Sequence, residues 1–469
     1  MKLTKSDFLL YLEAPLHLWA DKNSKLEKTT SAFEINLMDQ GYEVEKLAKE
    51  YLEKFVVRKS EDEKLLWQES FSDKQYAIRT DALVHKPGTD SYDLYEIKSG
   101  TNIKPENYYD VAFQFLILNK QIKIDNIFLL HLNRDYVRYS QLDLEHLFLA
   151  EDITDKVYEL KMEVDTKRKE ALSVSQSETS DGIEHCYKPQ TCPCPELCHP
   201  NLPMFSIYDI PRITKKKKIQ LLEMGIYEAK NIPDSFPLTP KQCLIVNLAK
   251  TNQEHIEHEA IRHEVERLSY PLYFLDYETY NAAIPLFDGY HPQQQMVFQY
   301  SLHKMESEDG DIKHTEHLSI TQEEPSKSLL EQLSNELGEL GTVFVWSKGF
   351  EMTRNKEMAL IHPEYADFLS ALNQRIYDLA DFIKLAYYLH PDFKGSWSIK
   401  NVLPVMVPEL SYQDMQIGKG DQAMMAWWEI VSGKMPAAAA EKTREALLKY
   451  CELDTWAMVK IWKSLQRKQ

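Results

Sequence analysis

The stretch "SYPLYFLDYETYNAAIP" ends an apolar run in two acids one residue apart, Asp276 and Glu278. Read as a strand, it puts Leu272, Phe274, Asp276 and Glu278 on one face, and the two apolar members turn that face inward. Buried carboxylates are costly unless paired or bound to a cation. Further along, "VFVWSKGFEMTRNKEM" leaves a strand and presents Glu351 at the start of a helix, and Tyr450 and Asp454 lie four apart on one face of the last helix. Four carboxylates at strand and helix ends, with a tyrosine one turn from the last, can hold two divalent cations that clamp the attacking and leaving oxygens of a phosphodiester. Oxygen-only ligands suit Mg²⁺ or Mn²⁺.

A second acidic set precedes it. "IRTDALVHK" supplies Asp81, and "DLYEIKSG" supplies Glu96 and Lys98 on one face of a strand. Two acids bind a cation, and the lysine polarises a water or neutralises charge on a phosphoryl transition state. Between the two sets, "HCYKPQTCPCPELCHP" holds Cys186, Cys192, Cys194 and Cys198. In a cytosolic chain such clustering points to metal before disulfides. His185 and His199 flank it as bystanders or zinc ligands, while the isolated Cys243 and Cys451 read as packing residues.

The elements that must position these groups fall into three segments. Residues 1–200 mix helix and strand. A helix in "LMDQGYEVEKLAKEYLEKF" is followed by strand pieces in "QYAIRTDALVHK" and "DSYDLYEIKSG", a helix in "ENYYDVAFQFLILNK" and a strand in "NIFLLHL". A charged helix then runs from about Asp152 to Ala171, and "SVSQSETSDG" reads as a flexible connector. Residues 201–260 read as a helical linker, in which Lys215 to Lys218 and Gly225 loosely suggest a helix-hairpin-helix. Residues 261–469 read as α/β, with strands at "LYFLDYETY", "QMVFQYSLHKM", "HTEHLSI" and "GTVFVWS", then helices over a mixed sheet.

Composition bounds the function. The chain has 469 residues, 43% hydrophobic and 27% charged, enough for cores of normal size. No apolar run is long enough for a bilayer, and "MKLTKSDFLLYLEAPLHLW" lacks the pattern of a signal peptide, so a cytoplasmic protein with no membrane partner is expected. The net charge of −18 argues against a purely electrostatic coat for nucleic acid but not against an acidic nuclease site.

The C-terminal acids resemble the motifs of the DEDD (DnaQ-like) exonucleases of the ribonuclease H-like superfamily. Asp276-x-Glu278 matches the first motif, "WSKGFE" with Glu351 the second, and Tyr450-x-x-x-Asp454 the third, in which the tyrosine orients the nucleophilic water. The second motif departs from the pattern: Ser347 stands for its Asn and Glu351 for its Asp. "RIYDLADFIK", with Asp378 and Asp381, falls where a substrate-side helix often lies. The N-terminal set resembles the RecB-like PD-(D/E)XK nucleases, whose pattern also implies a metal ligand at Glu45 and a catalytic-helix glutamine at Gln114. Such domains often hold a [4Fe–4S] cluster with one N-terminal cysteine and three later ones. Cys186, Cys192 and Cys198 look like the trio, Ala14 stands where the N-terminal cysteine would be, and Cys194 offers a fourth thiolate for iron–sulfur or Zn²⁺.

Taken whole, the chain resembles an uncharacterised bacterial family that fuses the two domains. The resemblance implies a restriction-endonuclease-like mixed sheet, a helical linker and a ribonuclease H-like mixed sheet flanked by helices. It also implies a Mg²⁺- or Mn²⁺-dependent exonuclease with two sites, acting on nucleic acid, DNA before RNA, in processing, repair or defence. The alternative is a nucleic-acid-binding or partner-docking protein in which one or both nuclease domains have decayed.

Overall fold

The computed structural model describes residues 2–26, 30–57, 64–413 and 415–468. The chain is mixed α/β and divides into two compact units, Met1–Asn201 with Ala282–Gln294, and Leu202–Asn281 with Gln295–Gln469. The stretch read as a linker thus clusters with the second unit.

In the first unit β1 (Lys64–Trp67), β2 (Ala82–Lys86), β3 (Ser91–Lys98), β4 (Ile124–Leu132) and β5 (Phe148–Asp152) lie side by side in chain order. All pairs are antiparallel except β3–β4, whose crossover is α4 (Pro105–Leu118). Alternation along β3 sends Leu94 to one face, where it packs with α1 (Lys5–Glu13), α4 and α5 (Thr154–Ser175). Tyr95 and Ile97 go to the other face, against α3 (Ala32–Tyr51). Capping boxes start α1, at Thr4 and Asp7, and α3, at Ser31 and Glu34.

Two readings are corrected in this unit. "QYAIRTDALVHK" is two strands of different sheets: Tyr76–Arg79 pairs with Leu3–Thr4 and Ser70–Ser72, and β2 begins only after the break at Thr80 and Asp81. The "SVS" of the supposed connector continues α5, since Ala171 and Leu172 remain in the apolar core and hold the helix past its charged part.

The second unit is built on a five-stranded sheet in the order β8-β7-β6-β9-β10, formed by β6 (Leu272–Asn281), β7 (Gln295–Met305), β8 (Ile312–Leu318), β9 (Thr342–Val345) and β10 (Ile376–Asp378). β6 is central, antiparallel to β7 and parallel to β9, while β7–β8 is antiparallel and β9–β10 parallel. Leu275 and Tyr277 face a core completed by Leu329, Leu330 and Leu333. Leu272 and Phe274 face the other, where Phe344 stacks on Phe274 at 5.1 Å and meets Trp462 of α8 (Ala437–Gln466) at 4.9 Å. Asp276 and Glu278 continue that second face. α6 (Lys348–Ile361) leaves β9, and its first free N–H, on Lys348, donates to Asp378 Oδ2 at 3.1 Å. Here "RIYDLADFIK" is corrected: Arg375 ends the preceding helix, Ile376–Asp378 is strand β10, paired with β9 through Val345 and Asp378, and Asp381–Lys384 is a separate short helix.

Candidate functional site

β6 brings Asp276 and Glu278 to the face on which α8 lies, and α8 presents Tyr450 and Asp454 one turn apart. Glu351 arrives from the first turn of α6. Burial pushes the Asp276 carboxyl well above the carboxylate range, and the charges of Asp454, Glu278 and Glu351 push it further. Glu278 rises for the same reasons, burial first and then Asp454, with Lys400 opposing. Burial lifts Asp454 to about 6 against a hydrogen bond from Tyr412, and lifts Glu351 to about 8. Glu351 is 3% exposed, and among the described residues its Oε2 has no hydrogen-bond partner. Asp276 and Glu278 thus lie in the field of Asp454 and Glu351.

Three neighbours escaped sequence reasoning. Tyr412 donates to Asp454 Oδ1 at 2.6 Å. Lys400, on α7 (Ile399–Met406), sits 5.5 Å above the rings of both Tyr412 and Tyr450, with Nζ 3.5 Å from Tyr450 Oη. Cys451, read as packing, is buried, but its Sγ lies 3.7 Å from Asp276 Oδ2, and it shares with Asp276 and Glu278 a space in which one ligand atom of each falls within 4.8 Å of the others. Position 451 follows Tyr450 on the helix, so its side chain points between the tyrosine and the sheet.

In the first unit Glu96 and Lys98 extend toward α4 and α1. Lys98 Nζ bridges Glu96 Oε1 at 2.7 Å and Asp110 Oδ2 at 2.8 Å, Lys5 Nζ reaches Glu96 Oε1 at 2.8 Å, and Gln114 Nε2 donates to Glu96 Oε2 at 2.7 Å and Asp110 Oδ1 at 3.0 Å. Asp81 accepts from the Ile97 amide at 2.8 Å, and burial together with Glu96 pushes it to about 8. Burial would raise Glu96, but Lys98 and Lys5 overcome it and hold the carboxyl below its usual range. Asp110 was legible in principle, one turn before Gln114 on the same helix face; Lys5 carried no signal. Glu45 lies on α3 and accepts from Gln68, whose side chain is bonded in turn to Arg79 and whose backbone amide donates to the Asp81 carbonyl at 3.0 Å.

The cysteines gather as expected, with two histidines. Ligand atoms of His17, Cys192, Cys194 and Cys198 lie within 4.8 Å of one another, as do those of Cys186, Cys192 and His199. His17 Nε2 is 3.5 Å from Cys192 Sγ, His199 Nε2 is 3.2 Å from Cys186 Sγ, and Cys194 and Cys198 sulfurs are 3.7 Å apart. Hydrogen bonds from Cys198, His17 and His199 hold the Cys186 thiol far below its ordinary range. His199 is therefore no bystander, whereas His185 turns its Nδ1 to the Cys186 carbonyl at 2.6 Å. His17 lies on α2 (Pro15–Lys22), three residues beyond Ala14. This cysteine–histidine cluster has the donors for a metal, and its N-terminal contribution comes from a histidine.

Residues 273–398 match the family model described as a domain of unknown function (DUF2779). The chain is 28% identical over 235 residues to the uncharacterized protein UU173 of Ureaplasma parvum, covering 46% of this chain and 34% of that protein. It is 27% identical over 206 residues to the uncharacterized MG366 homolog of Mycoplasma pneumoniae, covering 40% of this chain and 31% of that protein. The matched part spans about a third of the length of these curated relatives. No solved structure matches. Among the described residues, no helix is long and apolar enough to cross a membrane.

Proposed function

We propose that the chain is a metal-dependent nuclease whose principal site is the acidic cluster of the second unit. One observation carries this reading: Asp276 and Glu278 are buried side by side on β6, and the charges of Asp454 and Glu351 raise the proton affinity of both. Such repulsion is unfavourable unless cations relieve it, and the unpartnered Glu351 Oε2 fits the same need. These residues would hold Mg²⁺ or Mn²⁺, which supplies electrophilic stabilisation of phosphodiester oxygens. Tyr450, held beside Lys400, is placed to orient the attacking water, and Lys400 to offset charge on the phosphate. The mixed sheet with its acidic central strand supports the likeness to DEDD exonucleases, and nucleic acid, DNA before RNA, is the substrate class.

A different reading of the first unit is favoured by its ion pairs. Glu96 already meets Lys5, Lys98 and Gln114, so its charge is compensated by the protein. That suits a nucleic-acid-binding module as well as a second PD-(D/E)XK nuclease site. The Cys/His cluster is proposed to hold iron–sulfur or Zn²⁺ as a structural element of this unit.

The experiment incubates purified protein and Mg²⁺ or Mn²⁺ with labelled single-stranded DNA, duplex DNA and RNA, beside Asp276→Asn and Lys98→Ala. Cleavage lost in Asp276→Asn alone assigns it to the second unit. Cleavage by Asp276→Asn at the wild-type rate overturns the two-metal reading there.

A further inference from the structure

A third cluster of metal-ligating groups lies on the same sheet face, next to the acids, with Ser301 beside it pairing with Asp276. His303 on β7 and His314 on β8 are cross-strand partners with rings stacked at 4.5 Å, and Glu452 reaches them from α8. A ring nitrogen from each histidine and a carboxylate oxygen of Glu452 fall within 4.8 Å of one another.

The hydroxyls beside the rings admit an assignment that turns lone pairs inward. Thr455 Oγ1 lies 3.1 Å from the Glu452 carbonyl, 2.9 Å from His303 Nδ1 and 2.7 Å from Ser301 Oγ, which in turn lies 2.9 Å from His314 Nε2. A hydroxyl donates once. In that assignment Thr455 donates to the helix carbonyl and accepts from His303 Nδ1–H and Ser301, while Ser301 donates to Thr455 and accepts from His314 Nε2–H. That assignment leaves His303 Nε2 and His314 Nδ1 as bare lone pairs. His314 Nδ1 then faces Glu452 Oε1 at 3.8 Å, acceptor against acceptor. Among the described residues Glu316 Oε2, 3.9 Å from His314 Nε2, is buried with no hydrogen-bond partner. A cleft of about 410 Å³, lined by His303, Met415, Lys449, Glu452, Leu453 and Trp456, gives access.

We propose that His303, His314 and Glu452 bind one divalent transition metal of the zinc class, which clamps α8 to β7 and β8. Two imidazoles and a carboxylate suit Zn²⁺, and hydroxyls orienting each ring from its far nitrogen are the expected outer partners of such ligands. Because Thr455 directly follows Asp454, the clamp also fixes the helix that carries Tyr450 and Asp454.

The test strips the full chain of metal, dialyses it against Zn²⁺ with excess Mg²⁺ to fill oxygen-only sites, and counts bound zinc. Wild type, His314→Phe and Glu452→Gln are compared, with zinc-dependent Tm as second readout. The expected result is one zinc per chain fewer in each variant, and a smaller zinc-induced rise in Tm, while the cysteine cluster supplies the same background in all three. Glu452 is exposed, so its variant decides the matter if His314→Phe does not fold. Equal zinc counts and equal Tm rises in wild type and Glu452→Gln would overturn the proposal.

Discussion

His17 Nε2 lies 3.5 Å from Cys192 Sγ, across 175 residues of sequence. The two belong to opposite ends of the first unit's chain, one on α2 and one in the turn before Cys194. The contact makes the Pro- and Cys-rich segment part of the core that contains Ala14, Leu16 and Trp19. A segment with so little apolar surface of its own is ordered by such cross-links, and metal–ligand free energy adds directly to folding free energy.

If His17 is a ligand, His17→Ala should weaken metal retention by more than the roughly 10–100-fold typical of losing an outer hydrogen-bond partner. His17→Cys should retain the metal, since it keeps a donor on the same helix turn. Metal analysis of anaerobically purified protein, with thiol titration of the folded state, reads both. Metal content unchanged in His17→Ala would remove His17 from the site, and neither iron nor zinc in wild type with freely reactive thiols would leave the cluster a remnant.

Asp276→Asn should abolish cleavage by the second unit yet raise the Tm of metal-free protein. The substitution keeps side-chain volume and removes one charge from a group of mutually repelling acids. Tyr450→Phe should bind Mg²⁺ as wild type does and slow cleavage by about 10²-fold, the scale of losing water orientation. Thermal melts with and without Mg²⁺ separate the two effects from misfolding.

The pH dependence has a definite sign. Burial raises Glu351 from the ordinary 4.5 to about 8, so between those values the native state holds a proton that the unfolded chain has released. Stability from this group is complete below about pH 4.5 and is lost as pH rises toward 8. Glu351→Gln stays neutral throughout, so in metal-free buffer its Tm advantage over wild type should grow across that window and level off above it. Mg²⁺ at pH 8 should stabilise wild type more than the variant. An advantage independent of pH would mean that Glu351 is ionised in the fold.

Local pattern carried the parts of this picture that depend on period alone. Asp276 and Glu278 were legible because strand alternation continues from Leu272 and Phe274, and Tyr450 and Asp454 because one helical turn aligns them. Groups supplied by distant chain were not. Lys5 reaches Glu96 from 91 residues away with nothing in its neighbourhood to mark it, and His17, three residues beyond the Ala14 position, reaches Cys192 from 175. Tyr412 and Lys400 come from the irregular stretch between motifs, where no periodicity points at a site. Cys451 was misread because a buried cysteine on a helix is ordinarily inert, and only the sheet beside it makes it a neighbour of Asp276.

Lys98 tests what the first unit's acidic group is for. Its Nζ joins Glu96 and Asp110, both almost wholly buried, at 2.7 and 2.8 Å. Lys98→Ala leaves Lys5 to compensate both carboxylates, and breaking a buried pair in this way costs about 3–5 kcal/mol. Asp110→Asn added to Lys98→Ala should recover part of that loss, because it removes the charge the lysine had balanced. Urea denaturation of the two variants measures the difference. If the group is a PD-(D/E)XK site, Lys98→Ala should lose N-terminal cleavage while Asp81 and Glu96 still bind Mg²⁺, and Mg²⁺ should then raise its Tm more than that of wild type. A variant that neither binds Mg²⁺ nor is stabilised by it would make Lys98 a structural counter-ion and the first unit a binding module.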